Sequence, residues 1–293
     1  LKREWDETDL WMLNSIQDWY QIFCSGTGVW GSSSATGKTI LSRTLDFGID
    51  RNAFLIQMNL IAHYHGDSTR NDVIAFTFPG IIGVMSGFNN YGIWMHLDSS
   101  NGVFTTELNR TQIAISMRNF LEKENGTDIT NRAQAHILNE NLAAPVLLLV
   151  GCNEPIESPV FVLECRDDMV GVRGEAKPGD DFVVLTNHER VNKEPEECYR
   201  YQTYLNDFQE YLTSGDTKID ADEILISQQH TGSWGSLLVV QFYPHNLTFR
   251  VGYSHIDPAF KEGRIWNSDN IIGGPWDPLL NKWFAYPGFN KIA

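Results

Sequence analysis

The chain of 293 residues holds only four cysteines, Cys24, Cys152, Cys165 and Cys198, too few for a disulfide scaffold and without the close pairing of a structural metal site. Positive charge is scarce as well: 22 lysines and arginines face 37 aspartates and glutamates, a formal net charge of -15. That sign disfavours nucleic acid or an anionic membrane surface as a partner. It suits either an enzyme of mildly acidic surroundings or an ordinary solvated acidic surface. No run reaches the roughly 18 to 20 apolar residues of a membrane span, so no integral membrane segment is expected. No Pro/Ser/Gly-rich linker or block of like charge divides the chain, and one large body is expected rather than two. No secretory leader is visible, although a start at Leu1 rather than Met leaves room for one removed upstream. Sequons at Asn109, Asn125 and Asn246 would accept glycans, which leans the localisation towards an extracytoplasmic or lysosome-like compartment.

What is present begins with an apolar content of 42%, enough to bury a full core. Leu10, Trp11, Leu13, Ile16, Trp19, Tyr20 and Phe23 recur at helical spacing and predict a helix over residues 1–23. Cys24 then opens an apolar and small-residue strand, Phe23-Cys24-Ser25-Gly26-Thr27-Gly28-Val29-Trp30, whose glycines let another chain segment come close. After a Gly/Ser/Thr-rich turn, Ile40, Ser42, Thr44 and Asp46 alternate with Leu41, Arg43, Leu45 and Phe47, as in a strand returning antiparallel. The thiol therefore lies near Arg43 and Asp46, and a cationic neighbour lowers a thiol's pKa towards the nucleophilic thiolate. The stretch Gly31 to Thr39 is not a phosphate-binding loop: five residues separate its glycines instead of four, and a strand follows it rather than a helix.

Further on, residues 53–64 and 72–78 read as strands, and Gly80 to Asp98 as a hairpin turning at Asn89-Asn90-Tyr91-Gly92. Residues 111–123 and 128–141 have helical periodicity, with Thr111 and Asp128 as expected N-caps. Residues 145–152 and 160–165 are nearly continuous apolar strands of the doubly buried kind. Residues 169–173 and 182–185 would continue the meander, and helices follow at 195–212 and 219–229. A last hairpin spans 237–253, and the aromatic tail from Trp266 is expected to wrap the body, or else to border an acyl-binding groove. So many apolar strands call for two packed sheets. Thr186-Asn187 at a strand end supplies an amide donor of the oxyanion-binding kind, or a simple strand cap. His188 is not expected to pair with Cys24 in a papain-like dyad, since Cys24 stands before a strand and no Cys-Trp signature follows it.

The block from Cys24-Ser25 to Arg43-Thr44-Leu45-Asp46-Phe47, the Gly-rich hairpin ending in Leu97-Asp98, and Thr186-Asn187 with Arg200 thirteen residues on resemble the cysteine N-terminal-nucleophile (Ntn) hydrolases. That superfamily includes acid ceramidase, N-acylethanolamine acid amidase, choloylglycine hydrolase and the acyl-coenzyme A:6-aminopenicillanate acyltransferases. The resemblance implies an α+β fold, a four-layer αββα sandwich of two antiparallel sheets. It implies self-cleavage between Phe23 and Cys24, dividing a helical pro-segment (1–23) from an Ntn hydrolase domain (24–293), with the segment expected to stay bound to cover its apolar stripe. It also implies Cys24 as nucleophile with its own freed α-amine as base, Asp46 orienting that amine, Arg43 holding the thiolate, Asn187 with a backbone N–H binding the oxyanion, and Arg200 facing the site. Trp30 and Asp98 are taken as substrate contacts. Where the family has Leu-Asn this chain has Leu97-Asp98, and an ionised aspartate has no hydrogen to donate. The implied activity is hydrolysis of a linear, non-peptide amide in a small N-acylated molecule through an acyl-thioester, without metal or cofactor. An acyltransferase of the same superfamily, a phospholipase B-like esterase and an unprocessed, catalytically silent homologue remain alternatives.

Overall fold

The computed structural model describes residues 4, 6–15, 23–46, 60–100, 110–126, 128–153, 158–166, 169–192, 195, 197–214, 216–231, 236–253 and 284–285. Helix α1 (Glu7–Asn14) precedes the hairpin of β1 (Phe23–Val29) and β2 (Ile40–Asp46). Next come β3 (Leu60–Tyr64), β4 (Val73–Thr77), β5 (Ser86–Asn89) and β6 (Trp94–Ser99), then helices α2 (Ile113–Leu121) and α3 (Ile129–Asn139). Strands β7 (Val146–Gly151), β8 (Val160–Cys165), β9 (Val170–Arg173) and β10 (Phe182–Leu185) lead to helices α4 (Tyr199–Thr213) and α5 (Ala221–His230). Strands β11 (Ser236–Tyr243), β12 (Thr248–Tyr253) and β13 (Phe284–Ala285) complete the order.

Two antiparallel sheets result. One has six strands in the order β10-β1-β2-β11-β12-β13; the other runs from β3 to β9 in sequence order. Alternation along the strands decides which residues go where. In β1 and β2, Val29 and Ile40 turn outward and pack with Phe182 and Val184 against Tyr204, Phe208 and Ile224 of α4 and α5. Cys24, Leu41 and Leu45 turn inward to the core between the sheets. Phe242 of β11 stacks on Phe88 of β5 at 4.1 Å between ring centres, and Phe249 of β12 meets Phe76 of β4 edge-on at 5.3 Å. Helices α2 and α3 cover the far side of the seven-stranded sheet with Met117, Phe120, Ala133 and Ile137. The layers are therefore α4/α5, sheet, sheet, α2/α3: the expected four-layer αββα sandwich. Among the described residues no helix is long and apolar enough to cross a membrane.

Three sequence expectations change. The helix expected over 1–23 narrows to Glu7–Asn14; Phe23 already begins β1, and 16–22 lie outside the described residues. This helix is held less by an apolar stripe than by one buried amide: Asn14 donates to the Gly80 carbonyl at 3.0 Å and accepts from the amides of Ile82 and Gly83, while Trp11 stays 52% exposed. Neither expected N-cap forms a capping bond. Thr111 is engaged by Asn141 and Ala143 in an extended bridge, leaving Gln112 at the cap, whereas Asp128 does hold the N-cap position of α3, with a left-handed φ of 50° and no side-chain capping bond. Finally, β10 does not prolong the meander but crosses to the other sheet and pairs with β1, Gly26 opposite Leu185 and Val29 opposite Phe182. The tail aromatics from Trp266 to Trp283 lie outside the described residues.

Candidate active site

The β1–β2 register sets Phe23 opposite Asp46, Cys24 opposite Leu45 and Gly26 opposite Arg43. Side chains of Cys24 and Arg43 both point between the sheets, and the Arg43 guanidinium donates to Cys24 Sγ at 3.2 Å. That guanidinium is fully buried and held by main-chain oxygens: one nitrogen also donates to Leu97 O at 3.1 Å, the other to Met85 O at 2.9 Å and to Ser86 Oγ. Arg43 thus ties β2 to the opposite sheet and brings its charge to the sulfur.

The β10–β1 register, continued two residues past Leu185, carries Asn187 alongside Cys24. Asn187 Oδ1 accepts from the Cys24 amide nitrogen at 3.1 Å and from Arg200, while its NH2 donates to Ser99 O at 2.8 Å. Two donors converge on the oxygen, so the carboxamide presents its acceptor to Cys24. One hydrogen of the NH2 expected to bind an oxyanion goes to Ser99 O, and the group carries a second. Arg200, from the first turn of α4, donates to the Cys24 carbonyl at 2.8 Å and lies 3.7 Å from Asp46 Oδ2. The sulfur of Cys24 is therefore addressed from between the sheets, and its main-chain nitrogen and oxygen from the strand end.

The seven-stranded sheet contributes the other half. On β6, His96 and Asp98 share the face turned to β1, and both are 0% exposed. The Trp94 indole donates to His96 Nδ1 at 3.0 Å, which leaves the proton of the neutral ring on Nε2, 3.7 Å from Asp98 Oδ1. Burial, with Arg43 adding to it, holds His96 well below the usual imidazole value, so the ring is neutral. Burial pushes the Asp98 carboxyl up to about 7; Arg43 and Arg200 oppose that shift, Asp46 reinforces it, and the neighbouring Cys24 eases it. Among the described residues no N–H or O–H group is bonded to either Asp98 oxygen. Burial likewise pushes the Cys24 thiol up to about 12 against the pull of Arg43, with Asp98 and Asp46 raising it further. In this uncut chain the sulfur is sealed and protonated.

Of the residues singled out in the sequence, Cys24, Arg43, Asp46, Asp98, Asn187 and Arg200 converge, with Phe23 at the entry of β1. Trp30 does not: it stands just past the end of β1, six residues from Cys24, about 20 Å at the rise of a strand. The sequence motifs leave out His96, which the structure sets beside Asp98. The available signal was its two-residue spacing from Asp98 together with Gly26, the small residue that admits its ring.

No protein-family model matches the chain, and no curated protein matches it by sequence. Solved structures do. A Caenorhabditis elegans N-acylethanolamine-hydrolyzing acid amidase ortholog aligns with TM-score 0.59 at 16% identity, covering 75% of this chain and 93% of that one. A mutant form of conjugated bile acid hydrolase from Clostridium perfringens aligns with TM-score 0.56 at 9% identity, covering 92% of this chain and 97% of that one. At such identities the likeness speaks for the fold: this chain has the two-sheet sandwich fold of that acid amidase and that bile acid hydrolase, the fold of the Ntn hydrolases that its opening residues resemble.

Proposed function

We propose that the chain is an amide hydrolase whose nucleophile is the thiol of Cys24, released as an N-terminal residue by cleavage of the Phe23–Cys24 bond. The supporting observation is that Arg43 reaches the sulfur while Asn187 and Arg200 hold the nitrogen and carbonyl of the same residue. Each of those contacts would survive cleavage, and the nitrogen would become an amine already oriented. Likeness to an acid amidase and a bile acid hydrolase, both named for hydrolysis, favours the same class of reaction.

In the uncut chain the Cys24 nitrogen is an amide and cannot take a proton, so another base has to serve first. Asp98 fits, being beside the thiol and raised to about 7. The thiol gives its proton to Asp98 and the sulfur attacks the Phe23 carbonyl carbon. The C–N bond then breaks as the nitrogen gains a proton, and the acyl group rests on sulfur as a thioester. Water hydrolyses that thioester, leaving a carboxylate on the 1–23 pro-segment and a free α-amine on Cys24. The segment stays docked through Asn14. In turnover the amine, with an ordinary pKa near 7.7 to 8.0, takes the thiol proton. A linear amide of a small N-acylated molecule is attacked, its amine leaves, and water releases the acid. Asp46 and Asn187 orient the nitrogen throughout.

Full burial of a protonated Cys24 supports a second reading, a chain that is never cut and is catalytically silent. Intact-mass spectrometry of the wild type beside Cys24→Ala, joined to acid release from a panel of N-acyl amides, separates the two. Cleavage at Phe23–Cys24 with acid release, both lost in Cys24→Ala, is expected. Turnover by an uncut Cys24→Ala protein would end the proposed mechanism.

A further inference from the structure

A second chemical cluster lies on the open edge of the seven-stranded sheet. Among the described residues β3 is its first strand and pairs with β4 alone, and Tyr64 stands opposite Val73. One step further, His65 and Asp72 face each other across the mouth of the hairpin. His63, two residues before His65 on an extended chain, turns its ring the same way. The two rings lie 3.6 Å apart between centres. Asp72 Oδ1 is 3.5 Å from His63 Nε2 and 3.8 Å from His65 Nδ1, and the three ligand atoms lie within 4.8 Å of one another.

These separations have a chemical meaning. A tetrahedral zinc ion with Zn–N and Zn–O near 2.0–2.2 Å sets its ligand atoms about 3.3–3.6 Å apart. The His63–Asp72 edge of 3.5 Å already falls in that range, and the His65–Asp72 edge of 3.8 Å needs to shorten by only a few tenths of an ångström. The carboxylate is already aimed, because Asp72 Oδ1 accepts from the Gly66 amide at 2.6 Å. The connecting loop is also built tightly. Asp67 accepts from the amide and hydroxyl of Thr69 and from the guanidinium of Arg70, and a Cβ on Gly66 would lie 2.2 Å from Arg70 O. Metal binding needs imidazole lone pairs. Each ring already turns a nitrogen toward Asp72 Oδ1.

We infer that His63, His65 and Asp72 form a binding site for a borderline divalent transition-metal ion, zinc foremost, clamping the edge hairpin β3–β4. Two nitrogens and one oxygen suit zinc, copper or nickel, whereas calcium and magnesium prefer all-oxygen sets. His65 is 79% exposed, so a fourth position opens to solvent and takes water. The site lies apart from the Cys24 cluster, and it stands or falls independently of the hydrolase reading.

Chelator-stripped full-length protein titrated with zinc chloride in a calorimeter tests it. About one equivalent should bind, and thermal stability should climb with free zinc as it does for any ligand of the folded state. His65→Ala alone, at a side chain too exposed to matter for folding, should weaken binding at least about tenfold. His63→Ala/His65→Ala and Asp72→Asn should abolish it, with unchanged circular dichroism; excess magnesium should not displace the zinc. No uptake by the wild type, or equal uptake by the His63→Ala/His65→Ala variant, would overturn the assignment. In the latter case groups elsewhere on the chain would be holding the metal.

Discussion

Gly26 and His96 claim the same space across the sheet interface: a Cβ on Gly26 would lie 2.1 Å from His96 Cε1 and 2.2 Å from Nε2. The ring that faces Asp98 can sit there only because β1 carries no side chain at that point. Gly26→Ala should push His96 away, cost about 1–3 kcal/mol as overpacking does, and slow cleavage at Phe23–Cys24. Thermal melts beside intact-mass time courses check both effects. Unchanged cleavage in a folded variant would show that His96 has no part in it.

Asp98 makes cleavage depend on pH. Its carboxyl titrates at about 7 in the folded chain, so self-cleavage should quicken as pH rises through about 7. Asp98→Asn should lose that limb and slow by about 10²–10⁴-fold, the usual worth of a positioned base. A pH series of cleavage rates for the two proteins measures it.

The same carboxyl sets a stability trend. A folded-state value raised above the ordinary one of about 3.9 means that the stability contributed by the protonated form is complete below about 4 and is lost as pH rises through about 7. Asp98→Asn, neutral throughout, should therefore gain on the wild type across that window. Chemical denaturation of both proteins on a Cys24→Ala background at pH 4.5 and 8 isolates the difference, since other groups titrate equally in each.

Asn187 gathers the Cys24 nitrogen and Arg200 on one oxygen. Asn187→Ala would leave both donors buried without it, costing about 1–3 kcal/mol, and should lower turnover of the processed enzyme through kcat more than KM. Steady-state kinetics with an N-acyl amide would decide. A change confined to KM would make Asn187 a substrate contact instead.

Glu164, 0% exposed on β8, accepts from the amides of Arg190, Val191 and Asn192 and from Arg173 Nε. Removing one partner of a buried ion pair costs about 3–5 kcal/mol, so Glu164→Ala should lower the unfolding free energy by that order. Denaturant titration checks it, and cleavage in the remaining folded fraction should continue, because Glu164 touches none of the groups around Cys24.

Local pattern was enough for much of the molecule. Alternation and turn chemistry in residues 23–47 determined a hairpin whose pairing brings Arg43 and Asp46 near Cys24, because strand register over a short loop is a nearest-neighbour matter. The long apolar strands determined that two sheets had to cover one another. Asn187 carries a local signal, an amide at the end of an apolar strand, whereas Arg200 is singled out by the resemblance alone. Only the tertiary structure decided that β10 leaves the meander to lie beside β1 and that His96 and Asp98 of β6 face the thiol. It also turned the Asn187 oxygen, rather than its NH2, toward the Cys24 nitrogen. These are contacts between segments far apart in the chain. Burial, desolvation and the competition of buried donors for a single acceptor exist only once the sheets have closed, and no periodicity along the chain encodes them.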